Sequence, residues 1–185
     1  METPSAGNDT MSANAATAEV DFGYTAEGDS IRQRWDGRYG LRVATRDLGS
    51  DYVYRRQMIS LRYEWRSGRQ LLADRMTGGW ITGQAPLFER FVLGNSSLLQ
   101  GWDHYEIDPL GGDRMAHNSV SYGYQFQAGM AETFYDVGIV GNGGRMGTLR
   151  HSVGLGFRQG IFNVAMAFPL CEGRITPVFM AGMNY

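Results

Sequence analysis

The sequence has a single cysteine, no lysine and no long uninterrupted run of apolar residues. With Cys171 as the only cysteine, an intramolecular disulfide is excluded. No apolar run reaches the roughly 18 residues that a membrane-spanning helix needs, and residues 1–18 show neither the charged segment nor the apolar core of a secretory signal. The net charge of -2 leaves no electrostatic footprint for binding nucleic acid.

What the chain does have is glycine, aromatic residues and a polar/apolar alternation of period two. The alternation is clearest between 34 and 46, where arginines at 34, 38, 42 and 46 alternate with Trp35, Tyr39 and Leu41. A helix over this segment would align those arginines on one face, where they would repel each other. The alternation predicts eight antiparallel strands, at about 34–46, 52–66, 69–82, 113–126, 130–140, 148–158, 160–169 and 174–185.

The fold class that this pattern favours is an all-β, up-and-down transmembrane β-barrel. Long and short connectors alternate between the predicted strands, as in membrane barrels with short turns on one side and long loops on the other. Aromatic residues lie near strand ends, and the last strand ends on Tyr185. Alternation alone also fits a soluble lipocalin-like barrel. We expect residues 1–33 to be a disordered leader or linker, within which 19–31 fit either a linker or a short strand, and residues 34–185 to be the barrel domain.

One segment is more specific than the alternation. Residues 88–102 read FERFVLGNSSLLQGW and are followed by DPLGG at 108–112. The later segments NSVSY at 118–122, FYDVG at 134–138 and SVGLGFR at 152–158 come in the same order as in a known family. Over about 34–185 the chain resembles the barrel domain of the BamA/TamA-type bacterial surface antigen family, and it corresponds to the last eight strands of that sixteen-stranded barrel.

The resemblance implies an outer-membrane protein that inserts or translocates other proteins, with outer-membrane lipid and outer-membrane proteins or assembly machinery as partners. It also implies that the loop after the third predicted strand folds into the lumen, with Gln100, Gly101 and Trp102 as its motif. In the family, an arginine of this loop pairs with acidic residues of the barrel wall. The arginine position falls at Gln100 and the acidic positions at Ser121 and Asp136, so the resemblance implies that the neutral Gln100 side chain donates a hydrogen bond to Asp136. The family's periplasmic substrate-binding repeats are absent from this chain, which would be a mature form, a fragment or an excised domain. Phe179, Met183 and Tyr185 are the expected C-terminal assembly signal.

Several alternatives remain open. The arginine-rich face could attract anions, or it could fill the lumen with ion pairs to Asp36, Glu64, Glu132 and Asp136. His117 and Ser119 could serve an outer-leaflet lipid hydrolase, with Glu132 orienting the histidine, although we expect no enzyme, cofactor, metal or nucleic acid. The strands could form a closed structural barrel or half of a larger one, with a homo-oligomer completing it. A weak seam is expected between 34–46 and 174–185, where Pro177 removes a backbone donor.

Overall fold

The fold is an all-β antiparallel meander. The computed structural model describes residues 11–94, 98–170 and 176–183. The described strands form one ten-stranded sheet, in which each long strand pairs with the next along the chain and the two-residue β7 pairs only with β6. The strands are β1 (Ala16–Glu27), β2 (Ile31–Ala44), β3 (Val53–Ser67), β4 (Gln70–Gln84), β5 (Arg114–Gln125), β6 (Met130–Asn142), β7 (Arg145–Met146), β8 (Arg150–Gln159), β9 (Phe162–Leu170) and β10 (Val178–Met183).

The all-β antiparallel fold predicted from the sequence is confirmed, and all eight predicted strands are present. The structure adds two strands to them: the short β7 and the twelve-residue β1, which lies where the sequence indicated a leader and an ambiguous segment. β1 pairs with β2 along its whole length, from Ala16 opposite Val43 to Glu27 opposite Arg32. The division at residue 33 into a leader and a barrel domain stays a prediction, but the described sheet begins at Ala16.

The connectors at one end of the strands are short, and those at the other end are long. The tight turn between β3 and β4 uses Gly68, whose φ of +54° favours glycine. The short connectors span residues 28–30, 68–69, 126–129 and 160–161, and the long ones span 45–52, 85–113, 143–149 and 171–177. This asymmetry is the one expected of a membrane meander.

The two faces of the sheet differ in chemistry because side chains alternate along each strand. One face, which we call the outer face, carries large exposed apolar side chains on every long strand, among them Phe22, Trp35, Leu61, Val120 and Phe179. The opposite, inner face carries charged and small side chains, such as Arg38 paired with Asp21 and Arg158 paired with Glu132. An exposed apolar face opposite a charged face is the pattern of a membrane barrel wall, whereas a lipocalin-like barrel encloses its apolar face.

The sheet is not closed. Among the described residues no ladder joins β1 to β10, so both are edge strands and the sheet is a partial barrel. The seam expected between 34–46 and 174–185 is therefore wrong on one side, because β2 is covered by β1 and β3. Pro177 precedes β10 and removes no donor from its described ladder. No helix in the described part of the chain has the length and apolarity to cross a membrane.

A buried core forms where residues 85–94 and 98–113, which we call the inner loop, cover the inner face. This core joins side chains of the inner loop to inward-facing residues of five strands. Its members are Ala44, Tyr54, Ile81, Phe91, Leu93, Leu99, Trp102, Met115 and Val140. The inner loop therefore lies on the polar side of the wall and covers its apolar patch.

Candidate functional site: the inner loop and the wall beneath it

The inner loop enters the site through a short helical turn and a β-bridge. Leu87–Glu89 form one turn of 3-10 helix, and Phe91 then pairs antiparallel with Gly112 at the far end of the loop. The Phe91 ring lies over Gly79 of β4, where an added Cβ would come within 2.5 Å of the ring. Glycine at 79 thus makes the space that lets the loop lie flat on the wall.

Glu89 fixes the start of the loop to two strands. Its side chain is only 9% exposed, and its carboxylate lies 2.8 Å from Arg42 Nε of β2 and 3.9 Å from Arg56 Nε of β3. Arg56 Nε also donates to the Glu89 carbonyl oxygen at 3.1 Å, and the Arg56 guanidinium lies 4.6 Å from the centre of the Phe91 ring. One carboxylate therefore serves two arginines that face each other across neighbouring strands.

Two successive main-chain amides of the loop donate to side chains of the wall. The Leu99 N–H donates to His117 Nε2 of β5 at 3.1 Å, and the Gln100 N–H donates to Asp136 Oδ2 of β6 at 3.0 Å. His117 and Asp136 are 4% and 1% exposed. Leu99 has a φ of +59°, which is unusual for a residue with a side chain. This backbone conformation is held by the buried contacts on either side of it.

Gly101 and Trp102 extend the attachment to β8 and β9. An added Cβ at Gly101, whose φ is +87°, would lie 2.9 Å from the Cβ of Ala167 on β9. Trp102 Nε1 donates to the carbonyl oxygen of His151 on β8 at 2.8 Å, and the Arg150 guanidinium lies 4.8 Å from the Trp102 ring centre. Residues 99–102 therefore contact four strands that are neighbours in the sheet, β5, β6, β8 and β9.

The structure brings together most of the predicted site residues, but the contact between Gln100 and Asp136 differs from the expected one. Asp136 receives the main-chain N–H of Gln100, whereas the expected donor was the side-chain amide. Ser121 does not face Asp136, because its partner across the ladder is Phe134 and that of Asp136 is Ser119. Gln100 and Ser121 instead line a common polar cavity.

Three buried polar atoms beneath the loop have no hydrogen-bond partner within the described residues. They are His117 Nδ1, Asp136 Oδ1 and Ser152 Oγ. Ser152 lies directly opposite Asp136 on the neighbouring strand β8. An unsatisfied buried polar atom costs about 1–3 kcal/mol, so this patch is held in place by the contacts around it and is not a stable core in its own right.

The remaining predicted site residues lie at the C-terminal end and on the arginine-rich inner face. Phe179 and Met183 lie on the outer face of β10 and are exposed, while Tyr185 lies outside the described residues. On the inner face, Arg34 pairs with Asp36, Arg62 with Glu64 and Arg158 with Glu132. Among the described residues Asp136 pairs with no arginine, and its carboxylate accepts the main-chain N–H of Gln100 instead. Most of the arginine face therefore consists of ion pairs.

The hydrolase alternative gains no support from this geometry. His117 is buried and its Nε2 accepts the Leu99 N–H, so that nitrogen is occupied. The predicted orienting role of Glu132 is wrong, because His117 lies opposite Gly138, six residues along β6 from Glu132, which is about 20 Å at the rise of a strand. Glu132 pairs with Arg158 instead. Within the described ranges no three His, Cys, Asp or Glu residues are grouped so as to hold a metal ion.

Sequence reasoning did not identify Glu89 or Leu99 as site residues. One sequence feature could have indicated Glu89. It is an acidic residue among apolar ones, in a segment that is expected to enter an arginine-lined lumen. Leu99 contributes through its main chain and its positive φ, and no side-chain pattern indicates either of these.

An apolar outer face, a polar inner face and a long loop fixed to the inner face define the wall of an outer-membrane β-barrel with an inward-folded loop. The sequence profile of the Omp85 superfamily domain matches residues 59–161, which is more than half of the 185-residue chain. The chain belongs to the Omp85 superfamily. It is 30% identical over 151 residues to the outer membrane protein assembly factor BamA of Nitratidesulfovibrio vulgaris strain Hildenborough, a match that includes 69% of this chain and 19% of that protein. The predicted resemblance to the BamA/TamA-type family is thereby confirmed.

Proposed function

We propose that this chain forms the loop-bearing half of an outer-membrane barrel that takes part in inserting or translocating other outer-membrane proteins. The observation that carries the proposal is the position of the inner loop on the inner face, fixed through Glu89 and residues 99–102. An eight-stranded barrel has an interior just wide enough for side chains. A loop of this length inside the lumen therefore requires a wider barrel, completed by further strands or by a second copy.

The open edges supply the mechanism. Within the described residues, β1 and β10 each have a ladder partner on one side only, and such an edge is a template for pairing with another strand. In a membrane, each unpaired group costs several kcal/mol, so an edge there favours any strand that can pair with it. An incoming outer-membrane protein could be held at such an edge by main-chain hydrogen bonds, as in other cases of strand addition. The outer-membrane location, the lipid contact and the C-terminal signal at Phe179, Met183 and Tyr185 belong to the same proposal.

Edge-specific cross-linking tests this function. In a Cys171→Ser background, one outward-facing cysteine is introduced at an edge, as Val20→Cys in β1 or Ala181→Cys in β10. The matched control is Val120→Cys, which faces outward on β5 and is flanked by β4 and β6. The protein is reconstituted in vesicles with an unfolded outer-membrane protein fragment that carries a single cysteine in its last strand.

We expect cross-links from an edge position and none from position 120. Equal yields at all three positions, or no cross-link at either edge while the protein is folded, would contradict the assembly function and favour a purely structural barrel. A cross-link between two copies of this chain through Val20→Cys and Ala181→Cys would show that a homo-oligomer completes the barrel.

A further inference from the structure

Two pairs of arginines face each other across neighbouring strands on the inner face, in addition to Arg32 and Arg66 near the exposed turn, where Arg32 pairs with Glu27. Arg42 of β2 lies opposite Arg56 of β3, and Arg62 of β3 lies opposite Arg75 of β4. Like charges directly opposite on one face destabilise a sheet. Each pair therefore needs a negative group nearby to offset the repulsion.

At the first pair, the inner loop supplies that group. The Glu89 carboxylate lies 2.8 Å from Arg42 and 3.9 Å from Arg56 and is almost fully buried. This arrangement shows how this fold neutralises a cross-strand arginine pair, with one carboxylate placed between two guanidinium groups.

The second pair has no such bridging group. Arg62 pairs with Glu64 of its own strand, while Arg75 makes no ion pair or side-chain hydrogen bond within the described part of the chain. Across the other ladder Arg75 faces the hydroxyl-bearing Ser119. Within the described residues, the Arg75 guanidinium is thus left without a carboxylate partner.

This charge faces a polar cavity of about 180 Å³ that the inner loop partly covers. We call it the arginine cavity, and its polar lining includes Arg62, Arg75, Arg158, Gln100, Ser119 and Ser121. Two acidic residues, Glu132 and Asp74, also line it. The Glu132 carboxylate pairs with Arg158 at 3.6 Å, and the Asp74 carboxylate accepts a hydrogen bond from the Asn118 side-chain amide at 2.6 Å. Because a water molecule takes about 30 Å³ of liquid volume, the cavity has room for a small hydrated anion.

We propose that the arginine cavity binds a small soluble oxyanion, with a phosphate or carboxylate group placed between Arg62 and Arg75 as Glu89 is placed between Arg42 and Arg56. Guanidinium groups suit such an anion because they donate two parallel hydrogen bonds to phosphate or carboxylate oxygens. The hydroxyls of Ser119 and Ser121 and the Gln100 amide supply neutral donors. The inner face is opposite to the lipid-facing one, so the anion comes from solution and not from a lipid headgroup. This inference does not depend on the proposed role in protein assembly.

Titration calorimetry with inorganic phosphate, and separately with succinate, tests the proposal on the folded chain in an uncharged detergent at low salt. The variant is Arg75→Gln, and the matched control is Arg66→Gln, which removes an inner-face arginine of β3 that lies outside the cavity lining. We expect saturable binding to the unmodified chain, a loss of about tenfold or more in affinity for Arg75→Gln, and unchanged affinity for Arg66→Gln. Absence of saturable heat with both anions, or equal loss in the two variants, would overturn the site.

A second variant keeps the proposal testable if Arg75→Gln does not fold. Ser121→Asp places a carboxylate within the cavity itself, as an internal substitute for the anion. We expect this variant to melt at a higher temperature than the unmodified chain in phosphate-free buffer and to gain nothing from added phosphate. A phosphate response that survives Ser121→Asp unchanged would contradict binding in this cavity. An anionic phospholipid that stabilised the unmodified chain while phosphate did not would also contradict a soluble ligand.

Discussion

The main-chain N–H of Gln100 donates a hydrogen bond to the buried carboxylate of Asp136 at 3.0 Å. The family resemblance placed a side-chain contact at these positions, and the structure makes the contact through the backbone. The attachment of the loop to β6 therefore depends on the residue at 136 and very little on the side chain at 100.

A pair of substitutions at these positions follows from that geometry. Asp136→Ala leaves the Gln100 N–H buried without an acceptor, so we expect a loss of about 1–3 kcal/mol in the free energy of unfolding. Gln100→Ala keeps the hydrogen bond, and its effect should stay within about 0.5 kcal/mol. Denaturant unfolding in detergent, followed by tryptophan fluorescence, measures both. A larger loss for Gln100→Ala than for Asp136→Ala would show that the side chain carries the contact.

Gly101 is expected to tolerate no side chain. Gly101→Ala combines a φ of +87° with a Cβ only 2.9 Å from that of Ala167, and we expect proteases to cut the inner loop more rapidly in this variant. The control Gly143→Ala shares a positive φ of +59° but has nothing within 4 Å of the new Cβ, so it reports backbone strain alone, about 1–2 kcal/mol.

The steric part of that effect has its own test. Ala167→Gly removes the atom that the new methyl group at 101 would meet. We expect the double variant Gly101→Ala with Ala167→Gly to recover part of the protease resistance. No recovery would mean that the backbone conformation at 101, and not the contact with β9, causes the defect.

Removing the charge of Glu89 should weaken the start of the loop. Glu89→Gln leaves Arg42 and Arg56 facing each other without a carboxylate. Because both arginines are partly exposed, we expect a loss of about 1–3 kcal/mol at low salt. The loss should shrink in about 1 M salt, where the screening length is about 3 Å.

Glu27→Gln is the matched control for that variant. Glu27 pairs with Arg32 on the exposed turn between β1 and β2, and both side chains are more than half exposed. We expect little change at any salt concentration. Equal effects of the two substitutions on unfolding would contradict a special role for the Glu89 bridge.

β1 should behave as a lipid-facing strand. Phe22 lies on the outer face and covers Gly37 of β2, so Phe22→Arg puts a charge into lipid at a cost of up to about 2–4 kcal/mol near the bilayer midplane. Gly23→Arg places the same charge on the inner face beside Asp36. We expect insertion into vesicles to fall for Phe22→Arg and to persist for Gly23→Arg, with Phe22→Leu as a control for lost packing. Equal insertion of both arginine variants would show that β1 is not part of the membrane wall.

Most of the fold could be predicted from the sequence. Period-two alternation located the eight strands from β2 to β10, leaving aside the short β7, because apolar and charged residues separate cleanly onto two faces there. The inner loop was identified by its resemblance and not by alternation, since it has no regular period. β1 carries the same signal, with Val20, Phe22 and Tyr24 outward and charged or small residues between them. The sequence alone leaves residues 19–31 open between a linker and a short strand, because the polar segment before them indicates disorder.

The site was less accessible to sequence reasoning, for a physical reason. A pattern of side chains indicates which side chains could meet, but Leu99 and Gln100 act through main-chain amides, which every residue except proline possesses. The left-handed turn at Leu99 and Gly101 decides where those amides point. That turn depends on the buried wall below it and cannot be read from the loop alone.

Residues 99–102, only four positions of the chain, contact four strands that are neighbours in the sheet. A meander held only by its ladders can flex about the axis of each strand, because each ladder joins just two neighbours. A short segment that contacts four of these strands restricts that bending, because none of the four can then move independently of the others. The inner loop thereby couples the curvature of the wall to its own attachment, and a force that lifts residues 99–102 is transmitted at once to β5, β6, β8 and β9.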